Sequence, residues 1–224
     1  MSAAREQILA GIRQSLGRPA LEGEDLDEIK ARLANHSRHI IPERVNLDAQ
    51  GLRELFISKA RGVSATVAEI RAMSDIPEAV ATYLASENLP ARVVQAPSLG
   101  GIDWSVTPTM EARTGAAEKT DETSLITADS GIAETGTLLL SSGSDTPTTL
   151  NFVPPTHIVV LRRGHVVASY EDAWDQLRAA SVESGQPRVA NFITGPSRTG
   201  DIEQKIEIGV HGPLRLHILL VGEE

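Results

Sequence analysis

The sequence predicts a three-layer α/β domain, a mostly parallel sheet covered by helices, with a helical extension at its N-terminus. Three observations carry this expectation. From residue 48 onward, short helical and strand patterns alternate, which is the order that builds a parallel sheet with crossover helices. Two runs, His157-Ile158-Val159-Val160-Leu161 and Leu216-His217-Ile218-Leu219-Leu220-Val221, are nearly continuous in apolar residues and so need cover on both faces. Finally, 224 residues with 41% hydrophobic content are enough for one full domain with a sizeable core.

The elements follow in chain order. Ile8, Leu9, Ile12 and Leu16 recur at helical spacing, so residues 4–16 read as an amphipathic helix stopped by Gly17 and Pro19. Leu26, Ile29 and Leu33 mark a second helix over 25–34. Residues 1–45 thus form the extension, either packed on the main domain or reaching toward a partner, and residues 46–224 form the domain. Leu52–Ala60 reads as a helix and Val63–Val67 as a strand. Pro77 stands where a first-turn proline opens the helix Glu78–Ser86. Strands are expected at Ala91–Val94, Ser124–Thr127, Thr137–Ser141, His157–Leu161, Val189–Thr194 and Leu216–Val221, and a helix at Tyr170–Ser181. Leu99–Trp104 reads as a loop, and Ser141–Thr149 as a mobile polar one.

Composition excludes several classes of function. The net charge of −9 argues against nucleic acid and anionic membrane as partners. With no cysteine, the chain has no thiol nucleophile, no disulfide and no thiolate to hold zinc or an iron–sulfur cluster. No apolar run is long enough for a membrane span, and the first 18 residues lack the apolar core of a secretory signal, so a cytoplasmic address is expected. Gly131–Thr137 and Gly195–Gly200 carry glycines at phosphate-loop spacing but lack the lysine that such a loop needs.

Three segments are too specific for plain connectors. Ile132–Thr137 (IAETGT) sets a carboxylate beside a glycine turn. Pro154–His157 (PPTH) stiffens the start of a buried strand. Ile193–Glu203 (ITGPSRTGDIE) offers hydroxyls, an arginine and a helix-like start with free amides, a combination suited to an anion. A tight loop, Gly209–Pro213 (GVHGP), adds a histidine.

In this order and at these spacings, IAETGT, PPTHIVV, ITGPSRTGDIE and GVHGP resemble the LutC/YkgG family of lactate utilization proteins, the LUD domain, over roughly residues 45–224. Gly200 departs from the small residue, such as alanine, expected there. The resemblance implies a NagB/ribose-isomerase/CoA-transferase-like fold. It also implies a part in oxidising L-lactate to pyruvate beside companion proteins that carry iron–sulfur clusters, with no cofactor on this chain. The chain would then bind a small organic acid or a phosphate-bearing ligand. The alternative is a stand-alone enzyme, CoA-transferase-like or sugar-phosphate-isomerase-like, using Glu134 as its nucleophile or base.

Each candidate residue has a structural reading beside the functional one. Glu134 reads as a turn cap or as the catalytic carboxylate, and His211 as a turn residue or a second catalytic group. Thr135, Gly136 and Thr137 form a turn that could touch ligand, although backbone-bonding hydroxyls are the simpler reading. Gly195, Ser197, Arg198 and Thr199 are the expected anion site, with pairing of Arg198 to Asp201 or Glu203 as its rival. His157 and His217 read as structural strand histidines, Asp129 as a turn residue, and His36, His39 and His165 as solvated. A metal site from His157, His211, Asp201 and Glu203 matches no known ligand spacing, and no metal is expected. Assembly into a homo-oligomer is left open.

Overall fold

The computed structural model describes residues 3–200 and 206–222. Two compact units result, Met1–Ile40 and Ile41–Glu224.

The first unit holds helices α1 (Ala3–Ser15) and α2 (Gly23–Asn35), neither of which buries a residue. Gly17 ends α1 in the left-handed conformation, φ +60°, and Arg18 N–H donates back to Arg13 O at 3.0 Å, a Schellman-type stop. The predicted apolar stripe exists, but Ile8, Ile12, Leu16 and Leu33 are all exposed.

The second unit begins with a 3-10 turn, Glu43–Val45, that buries Val45. Helix α3 (Ala49–Gly62) follows, capped by Asp48, whose carboxylate accepts from Gly51 N–H at 2.8 Å. Then come β1 (Thr66–Ile70), α4 (Ile76–Ser86), β2 (Arg92–Gln95), β3 (Glu111–Thr114), β4 (Thr123–Thr127), β5 (Ser130–Ile132) and β6 (Thr137–Ser141). The rest is α5 (Thr149–Phe152), β7 (Thr156–Arg162), β8 (Val166–Val167), α6 (Tyr170–Ser184), β9 (Ala190–Ile193), β10 (Arg198–Gly200), β11 (Ile206–Ile208) and β12 (Arg215–Val221).

β1 starts three residues later than the sequence predicts. Val63 N–H still bonds to Lys59 O and Ala60 O, so the β-branched residue belongs to the end of α3, and Ser64, at φ +72°, makes the turn. Strands β3, β5 and β8 and the β10–β11 hairpin were not foreseen.

The main sheet runs β1-β12-β7-β4-β2-β3, with every pairing parallel. Its two apolar strands are covered on both sides, as their composition requires. Ile158, Val160, Leu219 and Val221 pack with α4, whereas Val159, Leu161, Ile218 and Leu220 pack with α3. This is the predicted three-layer arrangement. A second sheet, β8-β5-β6-β9, joins on the α3 side. Its inner residues Leu138 and Leu140 enter the same core as α3, and its outer Leu139 packs under α6. Both faces of β6 are therefore buried.

Candidate functional site

The four motif segments, scattered over some eighty residues, meet on this framework. The IAETGT turn sits on the backbone of α3. Gly136 has φ +71°, and a Cβ there would lie 2.3 Å from Ala60 N, so the close approach requires glycine. Thr137 then opens β6 with its hydroxyl fully buried. Its Oγ1 shares hydrogen bonds with Thr135 Oγ1 (2.7 Å), Tyr170 Oη (3.0 Å) and Thr194 Oγ1 (2.7 Å). Thr194 is the last residue before Gly195, so this hydroxyl cluster ties IAETGT to ITGPS.

Gly195 has φ +74°, and a Cβ there would meet Val63 O at 2.3 Å. Past that turn, Ser197 N–H donates to Pro213 O and Gly209 N–H donates to Ser197 O, both at 2.9 Å. Leu214 N–H and Arg215 N–H both donate to Pro155 O, at 2.8 and 3.0 Å. Backbone bonds thus knit ITGPS to GVHGP and GVHGP to PPTH.

Between these loops lies a cleft of about 250 Å³. Its polar lining comes from Asn151, His157, Thr194, Ser197 and His211, with Phe192 among the apolar residues; no Lys, Arg, Asp or Glu lines it among the described residues. His157 is fully buried, and neither ring nitrogen has a hydrogen-bond partner among the described residues. Asn151 Oδ1 is buried and unpartnered as well. Such groups are costly, because each gives up water without a replacement. Burial pushes the His157 pKa down to about 3, so the imidazole is neutral. It can offer one donor and one acceptor, beside the Asn151 carbonyl and the two hydroxyls.

The two most voluminous hollows among the described residues differ in kind. One of about 480 Å³ lies at the β3 edge, where Arg92 pairs with Glu111 at 3.6 Å and Arg113 pairs with Asp121. The other, about 500 Å³ between β1 and α4, is more open. It includes His217, whose Nδ1 lies 2.7 Å from Thr66 Oγ1 and whose ring stacks on Tyr83 at 3.8 Å.

Of the predicted site residues, Gly195, Ser197 and His211 line the cleft, His211 from its exposed rim. Thr135, Gly136 and Thr137 lie behind it, with the two threonines bonding to other side chains. Glu134 does not line the cleft; its Oε1 accepts from Arg44 Nη2 at 3.2 Å. Arg198 lies on β10, with Thr199 paired to Glu207 beside it, and the helix-like start expected over Asp201–Glu203 falls outside the described residues. The Arg198 guanidinium donates to Val63 O (3.1 Å) and Ser64 Oγ (2.7 Å) and does not line the cleft. Asp201 and Glu203 lie outside the described residues. Asp129 holds the β5–β6 hairpin by accepting from Ser141 N–H at 2.6 Å. Sequence reasoning missed Asn151, Tyr170 and Arg44 and ranked His157 as structural. The proline pair that fixes a histidine at the head of a fully buried strand was the available signal.

The sequence profile of the LUD domain matches residues 30–221. A lactate utilization protein C from Geobacillus sp. (strain WCH70) is 35% identical over 97 residues, which is 42% of this chain and 40% of that protein. One from Bacillus pumilus (strain SAFR-032) is 37% identical over 102 residues, 45% of this chain and 42% of that protein. The aligned stretches span less than half the length of these curated relatives. A crystal structure of a DUF162 family protein from Deinococcus radiodurans shares the fold with a TM-score of 0.60 at 26% identity, covering 79% of this chain and 99% of that one. Since the profile spans most of the sequence and its characteristic segments build one cleft, the chain belongs to the LUD domain family.

Proposed function

We propose that this chain is a component of a lactate utilization system and that its motif cleft binds a small organic acid. The observation that carries this reading is the convergence of four family segments on a cleft whose buried polar atoms, the His157 ring nitrogens and Asn151 Oδ1, have no hydrogen-bond partner among the described residues. A small polar ligand would complete them. The similarity to proteins named lactate utilization protein C supports the system.

In this role the chain holds or presents the acid, and oxidation of L-lactate to pyruvate proceeds with iron–sulfur companion proteins. The 224 residues contain no cysteine, so thiolate-held clusters would be the companions' contribution. No helix among the described residues is long and apolar enough to cross a membrane. Covalent catalysis by Glu134 has less support, since its carboxylate is engaged by Arg44 and stands outside the cleft lining.

The test is complementation. A strain lacking this chain is grown on L-lactate with the wild type or with His157→Gln supplied in trans. Growth restored by the wild type and lost with a folded His157→Gln supports the reading. Equal growth with both rejects the cleft as the working site.

A further inference from the structure

We infer that the cleft selects a small monocarboxylate over a phosphate ester or thioester, and that it takes up a proton with the acid, shared between the carboxylate and His157. This rests on the reading of the cleft as an organic-acid site and deepens it.

The first support is charge balance. No Lys or Arg lines the cleft among the described residues. The two nearest along the chain are engaged elsewhere. Arg198 follows Ser197 but donates to Val63 O and Ser64 Oγ, and Arg215 precedes Leu216 but pairs with Glu87 at 3.2 Å. Among the described residues a phosphate dianion would meet no fixed counter-charge, whereas phosphate sites use guanidinium, ammonium or helix N-termini. Among the described residues of the lining, the basic side chains are the imidazoles of His157 and His211.

The second support is placement. His157 lies in register with Ser124 on β4 and Leu216 on β12. Ser124 Oγ is spent on Leu150 O at 2.6 Å, and Leu216 offers nothing polar from its side chain. Asn151 comes from α5, and its free oxygen accepts but does not donate. Among the described residues the imidazole therefore has no acid or base to share a proton with, and burial holds its pKa low. An incoming carboxylate supplies that partner: the pair carries one proton and no net charge. His211 stands on the exposed rim, where water can serve as its hydrogen-bond partner. The third support is size, because about 250 Å³ falls below the ~300–1,000 Å³ of sites for larger ligands.

Isothermal titration of the full chain with L-lactate, pyruvate and inorganic phosphate tests this, each run at pH 7 in two buffers of different ionisation enthalpy. The expected result is binding of the monocarboxylates with uptake of close to one proton, about tenfold weaker affinity per unit rise in pH, and no binding of phosphate. His157→Gln, checked for a native melt, should lose the proton uptake, and His211→Gln should keep it. Carboxylate binding without proton uptake overturns the inference and leaves the organic-acid reading standing. So does phosphate binding as tightly as the acids, or proton uptake that follows His211 and not His157. No binding of any organic acid overturns both.

Discussion

Replacing His157 by glutamine should change how the fold responds to acid. The ring has an ordinary pKa of 6.5 in the unfolded chain and about 3 in the folded one, because burial disfavours its charged form. The unfolded state thus binds the proton first, and stability rises with pH between these values. The contribution is complete above pH 6.5 and is lost as the pH falls toward 3. At pH 5.5, one unit below the unfolded pKa, the loss is about 1.4 kcal/mol, one pKa unit of free energy. Urea denaturation at pH 7.5 and 5.5 measures it. Between the two, wild type should lose about 1.4 kcal/mol more than His157→Gln does, with unchanged denaturant slopes. Equal losses would mean that the ring titrates normally and that the cleft floor is wet.

Other outcomes follow from the same geometry. His217, held near 4 by burial, should show the same excess acid sensitivity when wild type is compared with His217→Gln. Thr137→Val removes the hydroxyl that joins Thr135, Tyr170 and Thr194 and should cost about 1–3 kcal/mol in urea denaturation, with a neutral result contradicting the cluster. Gly195→Ala forces a Cβ toward Val63 O in a left-handed backbone, which alone costs about 1–2 kcal/mol; an unchanged melting temperature would contradict the packing. Arg198→Ala should lower ligand-free stability by about 1 kcal/mol and leave lactate affinity within twofold; a large loss of affinity would return the anion site to Arg198. Glu134→Gln breaks a half-exposed pair with Arg44 and should cost less than about 1 kcal/mol while binding persists; abolished binding would restore Glu134 as a working residue.

The parallel sheet was legible because β7 and β12 are buried on both faces and carry that burial as unbroken apolar runs. β6 announced itself for the same reason, with Leu138 and Leu140 on one core and Leu139 on another. β3 could not be read, since Glu111–Thr114 is an exposed edge strand with no apolar alternation. β5 is three residues around Gly131, where a Cβ would lie 2.4 Å from Leu161 Cδ2, so close packing replaced the strand propensity a reader looks for. In the site, the motif glycines and His211 stood out locally. Arg198 is ambiguous in the sequence because a guanidinium between two hydroxyls looks the same whether it holds a ligand or ties down a turn, and only the fold shows its bonds to Val63 O and Ser64 Oγ. Asn151 had no local signal at all; only the fold of α5 brings it beside His157.

Amide NMR shifts of the full chain during titration with L-lactate would locate the ligand directly. The largest changes should fall on Asn151, His157, Thr194, Ser197 and His211, with the Glu134–Arg44 pair and the β1–α4 hollow quiet. Saturable shifts centred on Glu134 or on His217, with the cleft residues unmoved, would contradict the assignment of the cleft as the organic-acid site.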